Sequence, residues 1–137
     1  NASIGNGVAL AGHVIVGKYA VIGGLAAVHQ FIHIGDHAMV SGGSLVRKDV
    51  PPFTKAAKEP LSYVGINSVG LRRRGFTTEK IKEIQDIYRI LYQKNYNTTQ
   101  ALGIIEAEME ATPERDEIID FIRNSSRGVM KGYSGNY

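Results

Sequence analysis

The chain has 137 residues, of which 43% are hydrophobic and 21% charged, and these proportions indicate a globular domain. It contains no cysteine, which excludes a disulfide framework and thiolate chemistry and is compatible with the reducing cytoplasm. The formal net charge is +3. No stretch approaches the roughly 18 apolar residues of a membrane helix, so we predict no membrane span.

From Ile4 onward the sequence repeats in groups of six, namely IGNGVA, LAGHVI, VGKYAV, IGGLAA, VHQFIH, IGDHAM, VSGGSL and VRKDVP. The first position of every group is Ile, Leu or Val, and the second is Gly, Ala or Ser in all groups except VHQFIH and VRKDVP. A fixed period of six predicts a parallel β-helix, whose coils are stabilised by stacking on their neighbours.

Three groups of six make one triangular coil, so residues eighteen positions apart are predicted to stack about 4.8 Å apart. The predicted inward ladders are Ile4–Ile22–Val40, Leu10–Val28–Val46 and Val16–Ile34. Pro51 and Pro52 follow the last group, and because proline cannot donate a ladder hydrogen bond, we expect the solenoid to close there. The β-helix is therefore predicted over residues 1–52.

The remainder of the chain has a different character. Residues 53–76 contain one proline and three glycines, which predict an irregular connection. Residues 77–137 show apolar side chains at helical spacing and predict a small helical subdomain. The predicted fold is thus mainly β with an α-helical C-terminal part.

Three helices are predicted in that subdomain. The first is capped by Thr77 and ends near residues 95–97; the second begins at Asn97 or Thr98 and reaches about residue 110. The third follows Thr112, with proline at its first position, and ends by Gly128. Residues 129–137 are expected to be frayed.

A run of three arginines, residues 72–74, lies just beyond the solenoid between two glycines. The arginine guanidinium group suits phosphate oxygens, so the run indicates an anionic ligand, although three arginines can also form an ordinary solvated surface. Nucleic acid is a poor fit, because the basic patch is small and no binding motif accompanies it.

The four histidines, at positions 13, 29, 33 and 37, all lie in the repeats. No two of them are eighteen residues apart, so a three-histidine zinc site would need two subunits, and we predict no metal. His29 replaces the small residue expected at its position, and it is followed by Gln30. Gly12 precedes His13 and offers an accessible backbone N–H, the sort of donor that an oxyanion needs, and a histidine can transfer a proton near neutral pH.

At this level of detail the chain resembles the acyl-carrier-protein–UDP-N-acetylglucosamine O-acyltransferases, specifically their C-terminal half. The motifs LAGH, AVHQF, DVPPF and GLRRRGF carry the resemblance, and VGIN and SSRG extend it along nearly the whole chain. The resemblance implies a left-handed β-helix, against the usual right-handed crossover rule. It also implies a homotrimer with active sites between subunits, in the cytoplasm of a Gram-negative bacterium.

The reaction implied by the resemblance is transfer of a 3-hydroxyacyl chain from acyl carrier protein to the 3-hydroxyl of UDP-N-acetylglucosamine, the first step of lipid A synthesis. No cofactor is implied besides the phosphopantetheine that carries the acyl group on its carrier protein. The family's principal catalytic histidine belongs to a motif upstream of Asn1. We therefore expect this chain to be an N-terminally truncated portion that is inactive by itself.

The resemblance also implies roles for individual residues. Gly12 supplies the oxyanion N–H and His13 assists beside it, while His29 and Gln30 contact the sugar nucleotide. Gly42 lies where the acyl tail ends and sets its length.

Three further residues are implied to hold the uridine and diphosphate, namely Asn67, Arg73 and Arg74. Val69 stands where relatives often carry a carboxylate, so that polar contact is not expected here.

Three alternatives remain open from the residues. One is the N-acyltransferase of the same pathway, against which GLRRRGF directly after the solenoid argues. Another is a non-catalytic solenoid that only trimerises or binds a partner. The third is a trimeric zinc carbonic anhydrase, which metal analysis would detect.

Overall fold

The computed structural model describes residues 1–92 and 95–133. Its first 46 residues form the predicted solenoid, built from eight two-residue strands separated by tight corners. These strands are β1 (Ser3–Ile4), β2 (Ala9–Leu10), β3 (Ile15–Val16), β4 (Val21–Ile22), β5 (Ala27–Val28), β6 (His33–Ile34), β7 (Met39–Val40) and β8 (Leu45–Val46). Every third strand pairs in parallel, which produces three faces, namely β1-β4-β7, β2-β5-β8 and β3-β6.

The predicted eighteen-residue ladders are confirmed over the first coils. Ile4 pairs with Ile22 and Ile22 with Val40, and the other two ladders follow the same register. Ile34, Val40 and Val46 have no exposed surface. This inward row of branched aliphatic side chains is the core that the repeat period predicts.

The last coil differs from the prediction because it is two residues shorter. Val50 bridges Ile34, and Ala56 pairs with Val40, so the repeat there is sixteen residues. Val50 therefore continues the third ladder above Ile34. The prediction that Pro51 and Pro52 close the solenoid is wrong, since both lie at a corner between strands, where a missing ladder N–H has little effect.

Residues 53–76 are ordered, and the prediction of an irregular connection is wrong. Strand β9 (Thr54–Ala57) pairs in parallel with β7 and antiparallel with β10 (Ser62–Ile66), and the short helix α1 (Ser68–Arg73) follows. The glycine and proline positions suggested a loop. The hairpin forms because the edge of the solenoid sheet offers β9 a row of unpaired backbone groups, a long-range pairing with no local signature.

The three predicted helices are confirmed with slightly earlier ends. They are α2 (Thr78–Leu91), α3 (Thr98–Glu108) and α4 (Pro113–Arg123). The predicted caps also hold, since Thr77, Asn97 and Thr112 each accept a hydrogen bond from the backbone N–H three residues on. No helix within the described residues has the length and apolar character needed to span a membrane.

The helices share a second core that includes residues from the hairpin and α1. Phe53, Ile66 and Leu71 are buried together with the inner faces of α2, α3 and α4. Tyr88, fully buried on α2, donates its hydroxyl hydrogen to the Pro52 carbonyl oxygen at 2.6 Å, and so joins the two cores.

The chain returns to the solenoid after α4. Val129 bridges Asp49, and strand β11 (Lys131–Gly132) pairs in parallel with β10. The expectation of a frayed end is therefore wrong for residues 129–133, and residues 134–137 lie outside the described part of the chain.

Candidate functional site

The site residues are positioned by the corners of the solenoid. The fourth residue of each of the first seven groups turns the chain in the left-handed backbone region, with φ between 59° and 74°, and Phe53 does the same in the last coil. Stacking of successive coils places the corner residues in three columns, which we name the first corner (Gly7, Leu25, Gly43), the second corner (His13, Phe31) and the third corner (Tyr19, His37, Phe53). Residues other than glycine adopt this conformation only at a cost, so it persists here because the stacked coils hold the backbone in place.

Gly12, His13, His29 and Gln30 lie together at the second corner. The pairing of Leu10 with Val28 places Gln30 one coil above Gly12. The backbone N–H of Phe31 donates to the Gly12 carbonyl oxygen at 3.1 Å, which locks the two coils at this corner. All four residues are exposed, so the corner presents an imidazole pair and an amide on one edge.

Gly12 has no packing reason to be glycine. A Cβ atom built on it would meet nothing within 4 Å, and its φ is not in the left-handed region. Among the described residues no acceptor receives a hydrogen bond from the Gly12 backbone N–H. A free donor beside an exposed imidazole is the geometry that an oxyanion in acyl transfer needs.

His13 is held by an aromatic contact. Its ring stacks on Phe31 with a centroid distance of 5.0 Å and an interplanar angle of 5°. Parallel rings at this distance favour one side-chain orientation, so the imidazole is fixed although it is exposed.

Asn67, Arg73 and Arg74 lie at the third corner. Asn67 is 6% exposed, and its amide donates to the His37 carbonyl oxygen at 3.0 Å and accepts from the Gly70 N–H at 3.3 Å. Both ends of this side chain therefore already serve the fold, as a helix cap and as a tie to the solenoid. The Arg74 guanidinium lies 4.0 Å above the Tyr19 ring.

The predicted residues do not all meet within one chain. The second corner and the third corner are different edges of the triangular solenoid, and Gly42 is at the first corner, stacked on Gly24. A site that uses all three groups must therefore combine edges from neighbouring subunits. Val69 is 63% exposed at the start of α1, near Arg73 in sequence.

Sequence reasoning missed a cluster of cations at the second corner. Arg47 and Lys48 occupy the coil above His29 and Gln30, and Arg127 reaches the same corner from the end of the chain. Arg47 is paired with Glu59 at 3.2 Å. The eighteen-residue register could have placed Arg47 and Lys48 here, but nothing local in the sequence indicated Arg127.

The two remaining histidines are half-buried and pack against aromatic side chains. His33 contacts Phe121 of α4 at 4.6 Å, and His37 lies between Tyr19, Phe53 and Phe76. Burial lowers the pKa of His37, with the nearby Asp36 carboxylate opposing the effect. In residues 1–92 and 95–133 no three His, Asp or Glu side chains are placed to hold a metal ion.

A groove of about 540 Å³ separates α4 from the β3-β6 face. Glu117 of α4 faces Asp36 of the solenoid across it. Burial, followed by the Asp36 carboxylate, raises the pKa of Glu117 to about 7. This carboxyl group belongs to the contact between the two subdomains and not to the second corner.

Comparison with known proteins identifies the family of the chain. Residues 49–130 match the family model described as UDP-N-acetylglucosamine O-acyltransferase, domain 2. An acyl-[acyl-carrier-protein]–UDP-N-acetylglucosamine O-acyltransferase of Myxococcus xanthus is 43% identical over 113 residues, which are 82% of this chain and 44% of that protein.

Two solved structures are similar over almost the whole chain. A UDP-N-acetylglucosamine acyltransferase of Bacteroides fragilis aligns with a TM-score of 0.92 and 45% identity, over 95% of this chain and 51% of that one. The enzyme of the same name from Francisella novicida aligns with a TM-score of 0.89 and 37% identity, over 95% of this chain and 48% of that one.

The chain therefore spans about half the length of the relatives it matches. Since the similar structures are left-handed β-helices, the solenoid is a left-handed parallel β-helix. The matched family model covers more than half of the sequence, with the solenoid end, α1 and the three long helices inside it. The chain belongs to the UDP-N-acetylglucosamine O-acyltransferase family.

Proposed function

We propose that this chain serves an O-acyltransferase that moves a 3-hydroxyacyl group from acyl carrier protein to the 3-hydroxyl of UDP-N-acetylglucosamine. One observation carries the proposal: in a member of this family, Gly12, His13, His29 and Gln30 form a single exposed edge. This reaction opens lipid A synthesis in the cytoplasm of Gram-negative bacteria, and we extend that setting to this chain as part of the proposal.

In the proposed reaction a base removes the proton of the sugar 3-hydroxyl, and the oxygen attacks the thioester carbonyl. The free N–H of Gly12 donates a hydrogen bond to the carbonyl oxygen and stabilises the negative charge that develops there. The tetrahedral intermediate then releases the thiolate of phosphopantetheine, which takes up a proton. The donor brings this group itself, so the protein needs no cofactor of its own.

His13 supports this chemistry from a fixed position. Its ring is exposed and stacked, so it can hydrogen-bond the sugar without losing further orientational freedom. By the family resemblance, the principal base belongs to a motif upstream of this sequence. His29 and Gln30, one coil above, are proposed to contact the sugar nucleotide.

The sugar nucleotide's other end is proposed to bind at the third corner of a neighbouring subunit. Arg73 and Arg74 end α1 as an exposed cationic pair, which suits a diphosphate. Asn67 contributes less from its side chain than the resemblance implies, because its amide is already hydrogen-bonded. Since these residues and the second corner are on different edges, a homotrimer supplies the simplest way to combine them.

The test is acyl transfer by a full-length protein that carries this sequence, with UDP-N-acetylglucosamine and a 3-hydroxyacyl carrier protein as substrates. Mass spectrometry should detect an O-acylated sugar nucleotide that hydroxylamine cleaves as an ester. An amide product would favour the N-acyltransferase instead. Neither product, from a folded protein, would favour a non-catalytic solenoid.

A further inference from the structure

The segment of residues 125–128, sequence SSRG, leaves α4 and lies against the second corner. The Ser125 hydroxyl donates to the Asp49 carboxylate at 2.6 Å, and the Asp49 N–H donates to the Gly128 carbonyl oxygen at 2.9 Å. The other carboxylate oxygen of Asp49 accepts from the His33 N–H at 2.8 Å, and the residue is 4% exposed. A buried, fully hydrogen-bonded carboxylate therefore fixes this segment on the solenoid.

A second tie directs the side chain of Arg127. The Lys48 ammonium group donates to the Arg127 carbonyl oxygen at 3.0 Å. Gly128 turns the chain with a φ of 78°, a conformation that glycine adopts at little cost. The Arg127 guanidinium then lies 5.4 Å from the centroid of the Phe31 ring, within the reach of a cation–π contact.

Arg127 completes a stack that includes His13. Phe31 stacks on His13 in the coil below, whereas the shorter last coil has no equivalent of Phe31, because Val50 pairs with Ile34 and Asp49 therefore lies above His33. The column therefore provides no third ring to cover Phe31. Among the described residues Arg127 has no carboxylate partner, so its guanidinium is available for this contact.

We propose that Arg127 is a positioning residue of the acyltransferase site, acting through Phe31 to hold the His13 imidazole beside Gly12. This inference rests on the proposed function for its kinetic consequence. It also assigns the SSRG motif a role: the end of the helical subdomain completes the second corner. Arg127 acts on the orientation of His13 and makes no contact with substrate.

The kinetic test is a double-mutant cycle in a full-length protein that carries this sequence. Arg127→Ala and Phe31→Leu should each lower kcat/KM by about three- to tenfold, because each removes the support of the imidazole. Leucine is tolerated at such a corner, since Leu25 occupies the equivalent position of the first corner with a φ of 64°. The double variant should be no slower than Phe31→Leu alone, because Arg127 acts only through that ring.

Two controls accompany the cycle. Lys131→Ala removes an exposed cation from the same C-terminal segment and should leave kcat/KM unchanged. Arg127→Met keeps the apolar stem without the charge, and should retain the melting temperature while losing activity like Arg127→Ala. If the losses of kcat/KM multiply in the double variant, Arg127 contacts substrate directly and the proposal is overturned. An unchanged kcat/KM in Arg127→Ala would also overturn it.

A readout independent of activity follows the imidazole itself. With isotope-labelled histidine, the ring carbon and proton signals of His13 are identified by their disappearance in His13→Gln. Phe31 should shift these signals through its ring current, and Arg127→Met should move them toward the values of free histidine. If the His13 signals do not move in Arg127→Met, the proposal is overturned even when the enzyme is active. If they move but the protein shows no acyl transfer, the stack is supported and the proposed function is refuted instead.

Discussion

Arg73 and Arg74 are adjacent at the end of α1, yet their surroundings differ. Arg74 stacks on Tyr19, whereas the side chain of Arg73 has no hydrogen-bond partner among the described residues. Arg72, the third member of the run, donates to the Thr78 hydroxyl at 3.1 Å and so supports the start of α2. The run thus contains one structural arginine and two that can bind an anion.

Arg73→Ala and Arg74→Ala should each weaken binding of the UDP-sugar by about ten- to a hundredfold, since a hydrogen bond to a charged group contributes about 1.5–3 kcal/mol. The measurement is the apparent KM for UDP-N-acetylglucosamine in a full-length protein. Arg72→Ala is the matched control and should change KM little. Unchanged KM in both of the first two variants would refute the phosphate contact.

Gly42 is exposed, and a side chain there would project from the first corner. An added Cβ atom would come 3.1 Å from the Gly24 carbonyl oxygen, so the coil must shift slightly to accept one. Gly42→Met should move the preference toward shorter 3-hydroxyacyl donors, because the new side chain fills the end of the acyl site. Gly42→Ala should shift it less. Rates measured with a series of donor lengths decide the matter, and an unaltered length profile in Gly42→Met would show that Gly42 does not limit the acyl chain.

At the scale of elements, α4 and the β3-β6 face meet across the groove that holds Glu117 and Asp36. Burial raises the pKa of Glu117 from 4.5 to about 7, which means that folding favours its protonated form. The stability that this group contributes is therefore fully present below pH 4.5. It is lost progressively as the pH rises to about 7.

Glu117→Gln should remove this pH dependence, since glutamine keeps the shape without the ionisation. We expect the melting temperature of the variant to exceed that of the parent above pH 7 and to approach it near pH 4.5. The comparison is by calorimetry at pH 4.5, 6 and 8, with Asp120→Asn, an exposed acid on the same helix, as control. If the melting temperatures of Glu117→Gln and the parent differ by the same amount at all three pH values, the assigned pKa of Glu117 is contradicted.

At the scale of the whole molecule, the solenoid presents large apolar side chains on its corners. Leu25 is 75% exposed and Phe31 is 49% exposed, and both are on edges that carry candidate site residues. A neighbouring subunit that covers Leu25 would bury apolar surface, and the proposed trimer would also combine corners from different chains. The proposed trimer thus serves both stability and catalysis.

Leu25→Asp in a full-length protein should therefore weaken the trimer, because a charge at a buried contact loses its hydration. Sedimentation velocity at micromolar concentration should report trimers for the parent and smaller species for the variant. Gln85→Asp, on the exposed side of α2, introduces the same charge and should leave the assembly unchanged. A monomeric parent at this concentration would refute the trimer.

The sequence by itself determined the features that depend on near neighbours. The period of six defined the first coils and two complete ladders, and the capping residues Thr77, Asn97 and Thr112 located the helix starts. These predictions succeeded because the strand and cap rules concern residues whose separation is fixed by local geometry.

The tertiary structure decided whatever depends on contacts between distant residues. The sixteen-residue last coil arises where Asp49 is bound by Ser125, 76 positions away, and β9 forms because β7 offers it an unpaired edge. Arg127 reaches Phe31 for the same reason. No periodicity or propensity encodes such pairings, since their free energy comes from surfaces that become adjacent only when the solenoid and the helices have folded together.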